Sequence, residues 1–295
     1  MQAESRTLLR TAIGSYPTTQ SLKDGTLRSR LLELDFAEVP VISRAFAPMV
    51  RDARFDVSEM AIATFLQARA CGKPLVLLPV VLAARFQQSA LLCRTDSDIQ
   101  GPADLAGRRI GVRAYSQTTG MWLRGILAED GGPAPDAIRW LTFEDAHVAE
   151  IQDPPWAERA APGQDMLAML RNGELDAVIV GNDVPDDPGL RTVYRDPGAA
   201  AEAFWRRHGI VPVNHMLCLR RELAEQRPDL VAELLRLFAA AAEAAPPGPR
   251  GRAPMGRDAL RPVIELALGY MAAQGMLPRP LTVDEVWEGL PAGLG

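Results

Sequence analysis

The chain opens on residues 7–13, where apolar positions alternate with polar or small ones, a period of two that predicts a β-strand. The string Gly14-Ser15-Tyr16-Pro17-Thr18-Thr19 predicts a loop with a short helix after it. Residues 30–38 alternate apolar and charged side chains and predict a second strand. Phe55-Asp56-Val57 predicts a brief strand that runs into a helix, with Ser58 as its N-cap and Gly72 as its stop. The unbroken apolar run over 75–81 predicts a buried central strand.

Farther on, a strand over 110–114 is followed by the loop Tyr115-Ser116-Gln117-Thr118-Thr119 and a helix to about Glu129, closed by Gly131 and Gly132. Pro154, Pro155 and Pro162 mark a loop. A helix over 165–172 ends at Gly173 and leads into a strand over 176–180. Another strand begins at Leu190, with helices over 199–208 and 227–244 on either side of a strand-like segment over 211–220. Residues 245–257, rich in Pro, Gly and Arg, predict a flexible connection before one or two final helices. This alternation of strand and helix predicts an α/β fold with mainly parallel sheets.

A chain of 295 residues can form one large domain or two smaller ones. Its net charge of -5 argues against nucleic acid as a partner. Lysine occurs only at Lys23 and Lys73, so nearly all the basic side chains are arginines, which suit two-pronged carboxylate recognition. A compositional bias of the genome gives the same pattern. Cys71, Cys93 and Cys218 have no metal-ligand spacing and read as reduced, mostly buried thiols. With no signal-like start and no apolar run of bilayer-spanning length, the cytoplasm is the expected compartment and no membrane partner is expected. The sequence has no glycine-rich phosphate loop, zincin helix or serine nucleophile elbow. No cofactor is expected. The scattered histidines give no His-rich metal site, whereas a carboxylate-held Mg²⁺ or Mn²⁺ stays open, as does assembly into a homo-oligomer.

Two phrases carry a resemblance. Asp104-Leu105-Ala106-Gly107-Arg108-Arg109-Ile110-Gly111-Val112, and later Met169-Leu170-Arg171-Asn172-Gly173-Glu174-Leu175-Asp176-Ala177, resemble the second lobe of type II periplasmic-binding-protein folds. That resemblance implies two lobes, each a mixed sheet flanked by helices, with a ligand cleft between them. Lobe one is then 1–92 plus 193–295 and lobe two 93–192, the crossings lying near 91–94 and 191–196. A narrower match involves residues 55–60 and 85–89, Thr95-Asp96-Ser97, Trp122-Leu123-Arg124-Gly125 and residues 209–215. Together these resemble the 4,5-dihydroxyphthalate decarboxylase group. The implied activity, a step of phthalate degradation, removes one ring carboxylate to give protocatechuate. The chain departs from the group's pattern at Gln88, where His is usual, at Pro17-Thr18 in place of Asp-Arg, and at Arg113 in place of Pro.

In such a fold ligands lie at the carboxyl ends of strands. Tyr16 in the first loop is one expected contact. Ser58 is either a plain cap or a ligand donor. Glu59, placed by this reading in the first helical turn, is either a solvated dipole partner or a base for a ligand hydroxyl. Arg85, after the run over 75–81, is the expected carboxylate clamp, with Gln88 beside it. Tyr115, Thr118 and Thr119 are expected to meet an anion at a helix start, one of the threonines capping it. Asn214 is expected to contact the ligand. The resemblance raises His215 above an ordinary structural histidine, as acid or ligand donor; His147 and His208 look like surface residues, and Arg124 looks structural. The expected function is decarboxylation of a dihydroxylated aromatic dicarboxylate, a small anionic ligand. The alternative is a non-catalytic small-anion-binding protein of transport or sensing type, which Gln88 favours.

Overall fold

A computed structural model describes residues 6–181 and 184–294. The chain divides into two compact units: residues 1–84, 213–265 and 279–295 form the first, and residues 85–212 and 266–278 the second. Residues 85–92 and 193–212, assigned to lobe one from the sequence, fall in the second unit. The expected crossing segments 91–94 and 191–196 contain two strands that pair with each other there.

The first unit holds β1 (Thr7–Ala12), β2 (Leu32–Phe36), β3 (Val57–Ala61), β4 (Leu75–Ala84) and β11 (Val213–Arg220) in the order β2-β1-β3-β11-β4. β1 is parallel to β2 and β3, and β11 runs antiparallel to β3 and β4. The start of β11 therefore lies beside the carboxyl ends of the parallel strands. Helices α1 (Pro17–Lys23), α2 (Phe46–Asp52), α3 (Ile62–Ala70), α7 (Arg221–Gln226), α8 (Pro228–Ala244) and α10 (Val283–Val286) belong to this unit. Leu230, Leu234, Leu237 and Phe238 recur at helical spacing along α8 and pack with Leu9, Val57, Leu78 and Leu217 of the sheet. Buried Arg69 donates from Nη2 to the Leu75 and Glu288 carbonyls at 2.9 and 2.8 Å, tying the C-terminal segment to α3.

Four sequence expectations change here. Ser58 does not cap a helix. It sits within β3, and its Oγ donates to the Glu59 carbonyl at 2.8 Å. Glu59 is likewise a strand residue, because the strand runs on to Ala61 and α3 starts at Ile62. The run over 75–81 is buried but not central: β4 ends the sheet order. Pro79, which lacks a backbone donor, suits this outer position. The far side of β4 is met by a bridge between Val80 and Met255 and by the Gly256 N–H, which donates to the Pro79 carbonyl at 3.1 Å. The segment 245–257, expected to be slack, is tethered by Arg252, which donates to the Ala242, Glu243 and Ala245 carbonyls at 2.6–2.8 Å. It thereby satisfies carbonyls that the end of α8 leaves open.

The second unit holds β5 (Leu91–Arg94), β6 (Arg109–Val112), β7 (Arg139–Thr142), β8 (Ala157–Arg159), β9 (Ala177–Ile179) and β10 (Leu190–Thr192), ordered β10-β5-β9-β6-β7-β8. β6, β7, β8 and β9 are parallel, and β5 is antiparallel to β9 and β10. Helices α4 (Thr118–Glu129), α5 (Met166–Arg171) and α6 (Pro197–His208) belong to this unit. Gly173, at φ +77°, closes α5 in the left-handed region that its sequence position predicts. Helix α9 (Arg257–Ala273) begins in the first unit and ends in the second. Arg124 of α4 is buried. Its Nε donates to Gln274 Oε1 at 2.7 Å, its Nη2 to the Tyr115 carbonyl at 2.6 Å, and its guanidinium lies 3.9 Å from the Tyr115 ring centre. Burial lowers its pKa to about 10. Among the described residues no helix is long and apolar enough to cross a membrane.

Leu234→Ala removes the centre of the α8 stripe, and a loss of about 2–5 kcal/mol is expected for a fully buried leucine. Urea unfolding followed by circular dichroism measures it; an unchanged midpoint contradicts the packing described.

Candidate functional site

In the first unit, the loop after β1 is built to hold a side chain in place. Tyr16 precedes α1 in extended conformation, and Pro17 occupies the first helical position, where its missing N–H costs nothing. The Thr19 hydroxyl accepts from the Tyr16 N–H at 2.9 Å and donates to the Gly14 carbonyl at 2.9 Å. This closes the turn that aims Tyr16 back toward β3.

Glu59 is fully buried on β3. A carboxylate taken out of water is tolerated only when donors replace its hydration. Three do so. The Gly14 N–H donates to Oε2 at 2.7 Å, the Tyr16 hydroxyl to Oε1 at 2.7 Å, and His215 Nδ1 lies 2.6 Å from Oε1. In the sheet, Glu59 pairs with Leu217 and Ala61 with His215, so Glu59 and His215 occupy diagonal positions on neighbouring strands. The His215 ring stands edge-on to Phe46 at 5.1 Å. Because an ionised carboxylate only accepts, Nδ1 carries the hydrogen, and in the neutral imidazole the lone pair then lies on Nε2. The His215 side chain is 14% exposed, and among the described residues Nε2 makes no hydrogen bond. Burial, then the Glu59 charge, push the Tyr16 phenol well above its ordinary value, so it stays a donor. Lys23, at the end of α1, donates to Ser15 Oγ at 2.9 Å.

Both Glu59 oxygens are occupied inside the protein and no part of it is exposed, an arrangement that holds His215 in orientation. Ser58, on the same strand, is fully buried and turned to its own backbone. Asn214 is buried and engaged within the protein. His208, expected at the surface, has Nε2 2.7 Å from Glu129 Oε2.

The second unit has a separate cluster, around Arg85. Arg85 Nη2 donates to Thr119 Oγ1 at 3.2 Å and to the Gly181 carbonyl at 3.1 Å. No carboxylate pairs with it among the described residues, and burial lowers its pKa. Gln88 is fixed by its Oε1, which accepts from the Gln87 N–H at 3.0 Å. Arg85 Nε, Gln88 Nε2 and Gln117 Oε1 are buried without a protein partner, an excess of unspent polar groups that a small polar ligand or water would satisfy. Gln117, not Thr118 or Thr119, precedes the first turn of α4. Thr118 is buried and engaged inside the protein, while Thr119 holds Arg85. Tyr115 is turned into the protein. β6 ends at Val112, and the chain then turns inward, so Tyr115 is 2% exposed. Its hydroxyl accepts from Trp156 Nε1 at 3.0 Å and donates to the Gln274 carbonyl at 3.3 Å. Arg113 pairs instead with Glu144 at 3.6 Å.

Sequence reading missed Gly14, Gln117 and Gly181. Gly14 carried a signal: a glycine directly after a strand permits close backbone approach, and here a Cβ would stand 2.6 Å from the Tyr16 ring and hydroxyl. Gln117 and Gly181 act through loop geometry that has no local signature. Among the described residues no group of three or more His, Cys, Asp or Glu side chains is placed to hold a metal ion.

Comparison with known proteins adds three findings. The family description "NMT1/THI5 like" matches residues 47–153. The chain is 30% identical over 250 residues to 4,5-dihydroxyphthalate decarboxylase of Comamonas testosteroni, covering 79% of this chain and 74% of that one. It is also 30% identical over 211 residues to the enzyme of the same name from Pseudomonas putida, covering 66% of this chain and 80% of that one. Among solved structures, the alkanesulfonate-binding protein SsuA from Xanthomonas axonopodis pv. citri bound to MOPS superposes with a TM-score of 0.62 at 16% identity, over 96% of this chain and 99% of that one. This last likeness is one of fold, and it agrees with the expected periplasmic-binding-protein architecture.

Gly14→Ala forces Tyr16 aside, and a loss of about 1–3 kcal/mol is expected from the crowding. Chemical denaturation measures it. Gly72→Ala, where nothing lies within 4 Å of the added methyl but φ is +71°, gives the cost of backbone strain alone. Equal losses at the two positions contradict the close fit at Gly14.

Proposed function

The chain belongs to the 4,5-dihydroxyphthalate decarboxylase family, and from that premise we propose that it removes one ring carboxylate from a dihydroxylated aromatic dicarboxylate, with His215 as its acid–base residue. The observation that carries this reading is the buried Glu59 carboxylate 2.6 Å from His215 Nδ1, with Nε2 left open.

Losing CO₂ from an aromatic ring requires a place for the electron pair of the breaking C–C bond. A hydroxyl para to the leaving carboxylate provides one. His215 Nε2 takes that hydroxyl proton, and the oxygen's charge moves into the ring. The carbon bearing the carboxylate takes up a second proton, drawn from solvent, and becomes tetrahedral. Its bond to the carboxylate then breaks, CO₂ leaves, and the electron pair restores the aromatic ring and returns charge to the oxygen. The imidazolium gives its proton back to that oxygen. The net change is one proton taken up on carbon for each CO₂ released.

Glu59 favours the first step by stabilising the imidazolium, and the hydrogen bonds from Tyr16 and Gly14 keep the carboxylate in place. The gain comes from preorganisation: these groups are already aligned before a ligand arrives. In the second unit, Arg85 is the group suited to a carboxylate, since it is half-buried, has no carboxylate partner among the described residues, and has an unspent, buried Nε donor.

Replacing the base by His215→Asn is expected to lower kcat about 10²–10⁴-fold while ligand binding persists. Glu59→Gln is expected to lower kcat with little change in KM, because Glu59 does not touch the ligand. Protocatechuate and CO₂ formed from 4,5-dihydroxyphthalate provide the assay. Wild-type rates in H215N overturn the assignment of the base. Ligand-induced thermal stabilisation without turnover, with and without divalent metals, makes the protein a binding protein instead.

Arg85→Met tests the second unit. Removing a half-buried charge that has no carboxylate partner is expected to leave the melting temperature unchanged or raised. The same change is expected to weaken binding of aromatic carboxylates about tenfold or more, in proportion to the charge-assisted hydrogen bonds lost. Calorimetric titration with phthalate measures the binding, and undiminished affinity contradicts the role.

A further inference from the structure

We infer that Lys23, held by Ser15 and Phe36, is the carboxylate-recognising cation of the first unit and takes the anionic group of an aromatic acid bound beside His215. The inference rests on the proposed reading of His215 as the acid–base residue.

Lys23 is the last residue of α1, but its charge lies back at the loop after β1. Helical side chains lean toward the N-terminus, and a four-carbon stem covers the remaining distance. Its Nζ donates to Ser15 Oγ at 2.9 Å and stands 5.8 Å from the Phe36 ring centre. Ser15 separates Gly14 from Tyr16, the two residues that donate to Glu59, and Phe36 is the last residue of β2. The ammonium therefore sits at the same carboxyl edge of the sheet as the Glu59–His215 pair. It is close enough to Glu59 for that charge to act on it, raising its pKa against the larger lowering caused by burial.

The chain has 37 acidic residues, yet among the described residues Lys23 makes no ion pair. A half-buried ammonium that is tied to a neutral hydroxyl, with an aromatic ring under it, retains donors for an incoming anion. A carboxylate on a flat ring fits this arrangement: the oxygens meet Nζ and the exposed Ser15 hydroxyl, and the ring carbons meet Phe36. Lys23 would then fix the orientation of the substrate without taking part in the proton transfers.

The test compares the affinities of protocatechuate and catechol, which differ by one carboxylate and need no turnover to be measured. Calorimetric titration at low salt is expected to show that wild type prefers protocatechuate. Lys23→Met is expected to reduce that preference at least tenfold and to leave catechol affinity unchanged. Lys23→Arg is expected to retain most of it. Ser15→Ala, which keeps the charge but removes its tether, is expected to cause a smaller loss, and it serves as the reporter if K23M does not fold. An unaltered preference in K23M overturns the inference. So does equal weakening of both ligands, or no carboxylate preference in wild type. Because no catalysis is measured, a wild type that binds protocatechuate through Lys23 but fails to decarboxylate refutes the reaction and leaves the binding role standing.

Discussion

One buried carboxylate sets the terms for the carboxyl edge of the first sheet. Glu59 lies in the middle of a strand with no exposed surface, and an unpaired charge there would cost several kcal/mol. The fold supplies a backbone N–H, a phenol and an imidazole, each from a different segment. Gly14 must lack a side chain so that Tyr16 can reach in, Pro17 and Thr19 must set the turn, and β11 must run antiparallel to β3 so that His215 arrives on the diagonal. Much local structure that looks like scaffolding is thus required by a single ionisable group. The imidazole gains a fixed orientation as a result.

The second unit handles charge differently. Arg124 is buried among Tyr115, Trp140 and Gln274, with two of its nitrogens bonded to oxygen acceptors, and it joins the start of α4 to the segment after α9. Arg85 is half-buried, and it meets a hydroxyl and a carbonyl in a unit where Gln88 Nε2 and Gln117 Oε1 also lack partners. The first arginine is a structural clamp. Each keeps one buried nitrogen without a protein partner, but only Arg85 is partly exposed, and an accessible donor is what an anion needs.

How much of this the sequence revealed depended on the kind of signal. Gly72 and Gly173 marked helix ends correctly, because a left-handed residue has few alternatives to glycine. Asp165 and Asp196 accept from the N–H groups of Ala168 and Ala199 at the starts of α5 and α6, close to where those helices were expected. The stretch Val57-Ser58-Glu59 was misread because two polar residues after a short apolar stretch resemble a helix start. Local pattern cannot show that a tyrosine and a histidine far away in sequence will satisfy a glutamate within a strand. The bounds of the two units differ from those expected of the lobes, where β5 and β10 are short and their pairing with each other is non-local. Pro79 did carry a usable signal against a central strand, since a residue without an N–H suits an outer one.

The tethered segment along β4 has a consequence for how copies of the protein behave together. An outer strand of ten mostly apolar residues is a template on which another chain can add its own strand. The Met255 bridge and the Gly256 bond occupy part of that template, and Pro79 removes one donor from it. The Arg252 contacts with the end of α8 keep the covering segment near its place. A stretch whose composition looks like spare linker therefore shields part of an edge on which another chain could add a strand.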